Sequence, residues 1–155
     1  MYILGIETSC DETAAAVIKL EPARLQLLSN NVSSQIKLHK KWGGVVPELA
    51  ARRHTEVIIP VIEKTLRQAK IKPSQLTALV VTQGPGLITA LQVGVETAKT
   101  LSWIWRKPLI GVNHIAGHLV SPFLNNWPQA NNKKNFPQVS LVVSGGHTEI
   151  YLITK

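Results

Sequence analysis

The chain has 155 residues, 45% apolar and 17% charged, which excludes an intrinsically disordered polypeptide and suggests one domain. No apolar run reaches the roughly 18 residues of a membrane-spanning helix, and the single cysteine, Cys10, excludes an internal disulfide framework and fits a reducing cytosol. A net charge of +8 favours an acidic partner, with nucleic acid the leading candidate. The first residues, Met1-Tyr2-Ile3-Leu4-Gly5-Ile6-Glu7, lack the basic start of a signal peptide and meet an acid early, so a cytoplasmic location is expected.

Residues 2–6 read as a buried strand that ends in the polar turn Glu7-Thr8-Ser9-Cys10-Asp11-Glu12-Thr13. Residues 14–18 and 25–32 give a second and a third strand. Three adjacent strands with short turns predict an antiparallel meander. From Ser33 to Gly44 the character changes: Lys37, His39, Lys40 and Lys41 cluster with Trp42, and Gly43-Gly44 closes the run. This predicts an exposed, mobile basic loop, either merely solvated or meeting phosphates, with Trp42 available to stack on a base. Pro47 and Glu48 suit the first turn of a helix, and Leu49, Val57, Val61 and Leu66 carry its pattern to about Ala69. Pro60 inside that stretch predicts a kink or break. Arg52, Arg53 and His54 lie in its early part, close in sequence to the basic loop.

Residues 76–82 read as a buried strand and residues 88–105 as a helix with Leu91, Val95, Ala98 and Leu101 on one face. Between them Gln83-Gly84-Pro85-Gly86 is a strong turn signal. A Gly-rich strand-to-helix turn suits an anion, but this one is neither a Walker loop nor a dinucleotide fingerprint, and a plain tight turn accounts for it. Residues 109–112 form another short strand. Asn113 is a good N-cap for a helix marked by Ile115, Leu119 and Val120. His114 and His118, four apart, share one face of that helix and can chelate one divalent transition metal. The alternative is a pair of surface or structural histidines. The zincin pattern would place Glu directly after the first histidine, where this chain has Ile115. A polar, turn-rich linker follows at residues 126–135. Residues 139–143 and 149–153 then form two strands around Ser144-Gly145-Gly146-His147-Thr148, which is either an ordinary glycine hairpin or a close backbone approach to a ligand.

Five segments occur together in one order: Gly5-Ile6-Glu7-Thr8-Ser9-Cys10-Asp11-Glu12-Thr13, Gly43-Gly44-Val45-Val46-Pro47-Glu48-Leu49-Ala50-Ala51-Arg52-Arg53-His54, Thr82-Gln83-Gly84-Pro85-Gly86-Leu87, Asn113-His114-Ile115-Ala116-Gly117-His118 and Ser144-Gly145-Gly146-His147-Thr148. In register they resemble the N-terminal part of the tRNA N6-adenosine threonylcarbamoyltransferase family, formerly labelled O-sialoglycoprotein endopeptidase. The resemblance implies an α/β fold of the actin-like ATPase superfamily: an RNase H-like lobe over residues 1–125, the linker at 126–135, and the opening hairpin of a second lobe at 136–155. It implies transfer of a threonylcarbamoyl group from threonylcarbamoyl-adenylate to N6 of the adenine beside the tRNA anticodon.

Site residues follow from the same resemblance. His114 and His118 match the family's histidine ligands for one iron or zinc ion, whose third, carboxylate ligand the family takes from its second half. Val142, Val143, Ser144, Gly145 and Gly146 match its first substrate-binding segment, and Asp11 and Glu12 an acidic pair near the reacting group. Lys37, Lys40, Lys41, Arg52 and Arg53, by their charge and clustering rather than by the resemblance, are the candidate tRNA contacts. The implied partners are a paralogous actin-like subunit and an ATPase subunit, with no membrane. Because the family's second half has no counterpart here, the chain is expected to be a truncated product or one piece of a split protein, not catalytically competent alone. The alternatives are a non-catalytic lobe that binds tRNA or a partner, and a metallopeptidase, which the absent Glu at position 115 disfavours.

Overall fold

β1 (Tyr2–Glu7), β2 (Glu12–Glu21) and β3 (Arg24–Ser34) form the expected antiparallel meander, with Tyr2 opposite Lys19 and Thr13 opposite Ser33. The computed structural model describes residues 1–22, 24–124, 136–144 and 147–154. β4 (Ala78–Gly84) pairs parallel with β1, and β5 (Leu109–Asn113) parallel with β4, so the sheet order is β3-β2-β1-β4-β5. This mixed sheet is the RNase H-like arrangement that the resemblance implies.

One face of the sheet carries Leu4, Ile6, Ala15, Val17, Leu79 and Val81, all buried. The period of two along each strand puts them there together. α2 (Pro47–Ala69) and α3 (Ile88–Trp105) cover this face, α2 through Ile58, Val61, Ile62 and Leu66, α3 through Ala90, Gly94 and Ala98. α3 therefore packs by its small residues, and Leu91, Val95 and Leu101 flank the contact rather than centre it. α2 continues through Pro60 without the break that is one of the two outcomes Pro60 suggests. It also buries polar groups. The Thr65 hydroxyl donates to the Val61 carbonyl at 2.7 Å and accepts from Asn31 Nδ2, while the Ser29 hydroxyl donates to the Thr65 carbonyl.

The basic segment after β3 differs from the expected mobile loop. It contains the short helix α1 (Ile36–His39) and a 3-10 turn (Lys40–Trp42), and it is anchored by buried Gln35 and His39. Backbone hydrogen bonding and two buried side chains, not visible in its charge pattern, give it order. α4 (His114–Val120) follows β5 directly. Beyond it, β6 (Gln138–Ser144) and β7 (His147–Ile153) pair as a separate antiparallel ribbon, as expected, with Val139 opposite Leu152. The expected linker at residues 126–135 lies outside the described residues.

Glycine matters where the layers meet. A Cβ on Gly94 would overlap the buried Thr8 hydroxyl, which donates to the Ala90 carbonyl at 2.9 Å. A Cβ on Gly117, in α4, would meet open space. Gly94→Ala should therefore lose about 1–3 kcal/mol of stability through overpacking, while Gly117→Ala should gain up to about 1 kcal/mol through helix propensity. Urea denaturation of both variants checks the contrast.

Candidate active site

β1, β3, β4 and β5 point the same way and β2 runs against them, so one edge of the sheet collects the ends of all five. That edge carries Glu7-Thr8-Ser9, Asp11-Glu12-Thr13, Gln35, Thr82-Gln83-Gly84 and Asn113-His114. Open α/β sheets form their ligand crevices at the carboxyl ends of parallel strands, for the same topological reason.

The histidine helix is set by its cap. The Asn113 side-chain oxygen accepts from the backbone N–H groups of Ile115 and Ala116, at 2.8 and 3.2 Å. Buried Ile115 fixes the helix rotation, and His114 and His118 then face each other. Their Nε2 atoms are 3.1 Å apart, with the rings nearly perpendicular at 84°. Two nitrogens each about 2.0–2.1 Å from one ion, at angles from about 90° to 109°, stand roughly 2.9–3.4 Å apart. The pair therefore has the spacing of two ligands on one metal.

The second nitrogen of His114 is held from behind. Its Nδ1 lies 3.1 Å from Glu7 Oε2 and 3.2 Å from the Ser9 hydroxyl. With Nδ1–H donating to the carboxylate, Nε2 keeps its lone pair toward His118, the usual carboxylate–histidine support of a metal ligand. Glu7 is itself fixed by three elements: it accepts from the Ser9 backbone N–H, from the Thr82 hydroxyl at 2.5 Å and from His114. Burial alone would raise its carboxyl, but the hydrogen bonds from Ser9, Thr82 and His114 prevail and hold it below the ordinary carboxylate value. The strand-to-helix turn of the third motif closes on the same place. Leu87 N–H donates to the Ser9 carbonyl at 2.8 Å, and a Cβ on Gly86 would come within 2.5 Å of that oxygen. The turn thus serves close packing.

Asp11 is half-buried and Glu12 exposed, at the start of β2 on this edge. Buried His54 from α2 secures their turn. The Thr13 hydroxyl lies 2.7 Å from His54 Nδ1, and His54 Nε2 donates to the Cys10 carbonyl at 3.0 Å. Burial pushes the His54 imidazole below its ordinary value, outweighing the Cys10 carbonyl, which raises it.

Lys37, Lys40, Lys41, Arg52 and Arg53 are all exposed beyond the same edge. Lys41 lies over the Trp42 ring at 5.4 Å, and Arg53 is paired with Glu56 at 2.8 Å. Of the expected substrate segment, Val142 is buried, Val143 exposed, and Ser144 pairs with His147 at the end of the ribbon. Gly145 and Gly146 lie outside the described residues. Among the described residues, no cluster of three His, Cys, Asp or Glu side chains forms a complete metal cage. Glu7, Ser9, Thr82, Gln35 and the supporting role of His54 are not apparent from the sequence. A carboxylate ending a buried strand, Ile6-Glu7, is the one signal it offers.

Comparison with known proteins decides the family. The model of tRNA N6-adenosine threonylcarbamoyltransferase (TsaD) matches residues 26–155. The chain belongs to this family. Proteins of that name from Persephonella marina and Anaeromyxobacter dehalogenans are 53% and 54% identical to it, over 99% and 96% of this chain. The chain spans 42% of the length of each of these threonylcarbamoyltransferases. The structure of YeaZ from Pseudomonas aeruginosa superimposes with a TM-score of 0.58 at 17% identity, covering 81% of this chain and 49% of that one. That likeness shows the fold, an actin-like lobe of RNase H-like topology.

The lowered His54 value has a consequence for stability. A group depressed on folding contributes stability that is fully present above its ordinary value of about 6.5 and is lost as pH falls through the folded value. Stability should thus decline as pH falls below about 6.5, and His54→Gln should flatten that decline while lowering stability at neutral pH. Urea midpoints measured across this range test both.

Proposed function

We propose that this chain provides the metal-binding and acid-bearing lobe of a tRNA N6-adenosine threonylcarbamoyltransferase acting in the cytoplasm. The reaction is transfer of the threonylcarbamoyl group from threonylcarbamoyl-adenylate to N6 of the adenine next to the anticodon. The observation that carries this reading is the convergence of His114 and His118 Nε2, backed by Glu7, on the edge that also holds Asp11 and Glu12. Family membership supplies the substrate class. No described helix is long and apolar enough to cross a membrane.

His114 and His118 would hold one iron or zinc ion, with a third, carboxylate ligand from the family's remaining portion. Bound there, the metal supplies Lewis-acid polarisation of the carbamoyl oxygen. Glu7 orients His114. Asp11 or Glu12 aligns the adenine amine and accepts its proton as the new N–C bond forms and the adenylate phosphate leaves. Val142, Val143, Ser144, Gly145 and Gly146 form the segment that seats the adenylate. Lys37, Lys40, Lys41, Arg52 and Arg53 meet tRNA phosphates, and Trp42 offers a face for stacking. A paralogous actin-like subunit and an ATPase subunit are the partners this reading includes.

The second reading is a lobe that binds tRNA or a protein partner without turnover. It is favoured by the described residues presenting two histidine ligands with no third beside them. A metallopeptidase is disfavoured because position 115, where the zincin base would sit, holds buried Ile115.

Two experiments test the proposal. The chain alone should bind zinc weakly. Adding the C-terminal portion of the Persephonella marina relative should raise affinity by orders of magnitude, and His118→Ala should abolish the gain. Tight one-to-one binding by the chain alone would sink the divided ligand set. For tRNA, neutralising all five basic residues should weaken binding. It should also reduce the salt slope by about 0.7–0.9 for each phosphate that no longer meets a cation. An unchanged slope would assign them to solvent.

A further inference from the structure

The exposed hexapeptide 40–45, which carries Lys40, Lys41 and Trp42, is closed at both ends on one imidazole. His39 immediately precedes it, and the N–H of Val46, immediately after it, donates to His39 Nδ1 at 3.3 Å. His39 Nε2 in turn donates to Gln35 Oε1 at 3.1 Å. Gln35 passes the connection on through its backbone N–H, which donates to the Asp11 carbonyl at 2.9 Å, and its side-chain amide reaches the Ala50 carbonyl on α2. From the other side, His54 Nε2 donates to the Cys10 carbonyl at 3.0 Å. The two peptide carbonyls that flank the Asp11 Cα are therefore both gripped.

Every side chain in this path is shielded. Gln35, His39, His54 and Thr13 are exposed by 2%, 4%, 0% and 0%. Among the described residues, no buried side-chain polar atom lacks a partner. A fully satisfied network of shielded side chains resists deformation. Between its anchors the two glycines of the hexapeptide are unpacked: nothing lies within 4 Å of a Cβ on Gly43 or Gly44, and Gly43 has φ +70°.

We infer that Gln35, His39 and His54 are positioning residues that tie the basic hexapeptide to the acid turn, so that RNA seated on Lys40, Lys41 and Trp42 fixes the place of Asp11. This rests on the proposed reading of the hexapeptide as an RNA contact and of Asp11 as the group beside the reacting amine. None of the three need touch RNA or substrate. Their part is to convert the position of a bound phosphate chain into the position of a carboxylate.

The connection can be read in the 155-residue chain by NMR, first without RNA. His39→Phe keeps an aromatic ring but removes both hydrogen bonds, and Gln35→Met keeps length but removes the amide. Either should weaken the Gln35-to-Asp11 bond and speed exchange of the Gln35 amide by about tenfold, the effect of losing one local hydrogen bond. Core amides of Leu79 and Val81 should keep their rates, which separates this from global loss of stability. His39→Gln, which retains a donor and an acceptor, should restore part of the protection.

A tRNA anticodon stem-loop is then titrated in. In the unmodified chain, resonances of Lys40, Lys41 and Trp42 should move together with those of Asp11 and Glu12, at one midpoint. In His39→Phe only the hexapeptide should move. Unchanged Gln35 exchange in both variants overturns the relay, as does joint movement that persists in both. Movement of the hexapeptide without Asp11 in the unmodified chain overturns it too. Absence of any shift on adding RNA rejects the RNA-contact reading instead, and the exchange measurement still decides the mechanical link.

Discussion

A half-buried carboxylate cannot be left without donors, and the arrangement around Glu7 follows from that requirement. Its two oxygens accept from the Ser9 backbone, from Thr82 at the end of β4 and from His114 at the start of α4. Each donor belongs to a different element, so satisfying one side chain registers three strand ends against one another. An isolated buried carboxylate would become protonated or draw in water. Surrounded by donors it stays ionised, which suits it to accept the Nδ1 proton of an imidazole. The site edge is thus organised by an ionised group in its interior, with the histidine pair as its outward expression.

The three histidines with well-defined partners show how local bonding selects tautomers. His39 and His54 each accept at Nδ1 and donate from Nε2, because a backbone N–H or hydroxyl faces the first nitrogen and an amide or peptide carbonyl the second. His114 is reversed: a carboxylate faces Nδ1, so the proton resides there and Nε2 is left as an acceptor. The same side chain therefore serves as an internal strut twice and as a candidate ligand once. Spacing in the sequence does not distinguish the roles, since only the opposing groups do.

That distinction explains what the sequence revealed and what it withheld. Alternation and helical periodicity made the meander, α3, the Asn113 cap and the β6–β7 ribbon legible, because each depends on residues close in the chain. β4 begins two residues later than its apolar run suggests, since Leu76 is buried without joining the ladder. Residues 33–44 read as a mobile loop because their charges dominate the pattern. The order comes from Gln35 and His39, whose polar contacts to Asp11, Val46 and Ala50 leave no trace in an apolar or charge pattern. The His114–His118 spacing is visible at once. Glu7, 107 residues away, is not.

The distribution of charge gives this edge a direction. The chain carries net +8, yet three of its nine acidic residues, Glu7, Asp11 and Glu12, fall within the first twelve positions and lie together on the site edge. The cations Lys37, Lys40, Lys41 and Arg52 project from the neighbouring segments, and Arg53 is partly neutralised by Glu56. A polyanion is drawn to the basic segments and repelled from the carboxylates, so phosphates and bases experience opposite preferences over a short span. On the proposed reading, a nucleotide approaching this edge would lower its energy by turning its backbone to the lysines and its amine-bearing face to Asp11 and Glu12. Electrostatics would then set orientation before any specific contact forms, while the hydrogen bonds of buried His39 and Gln35 link the basic segment to the Asp11 backbone.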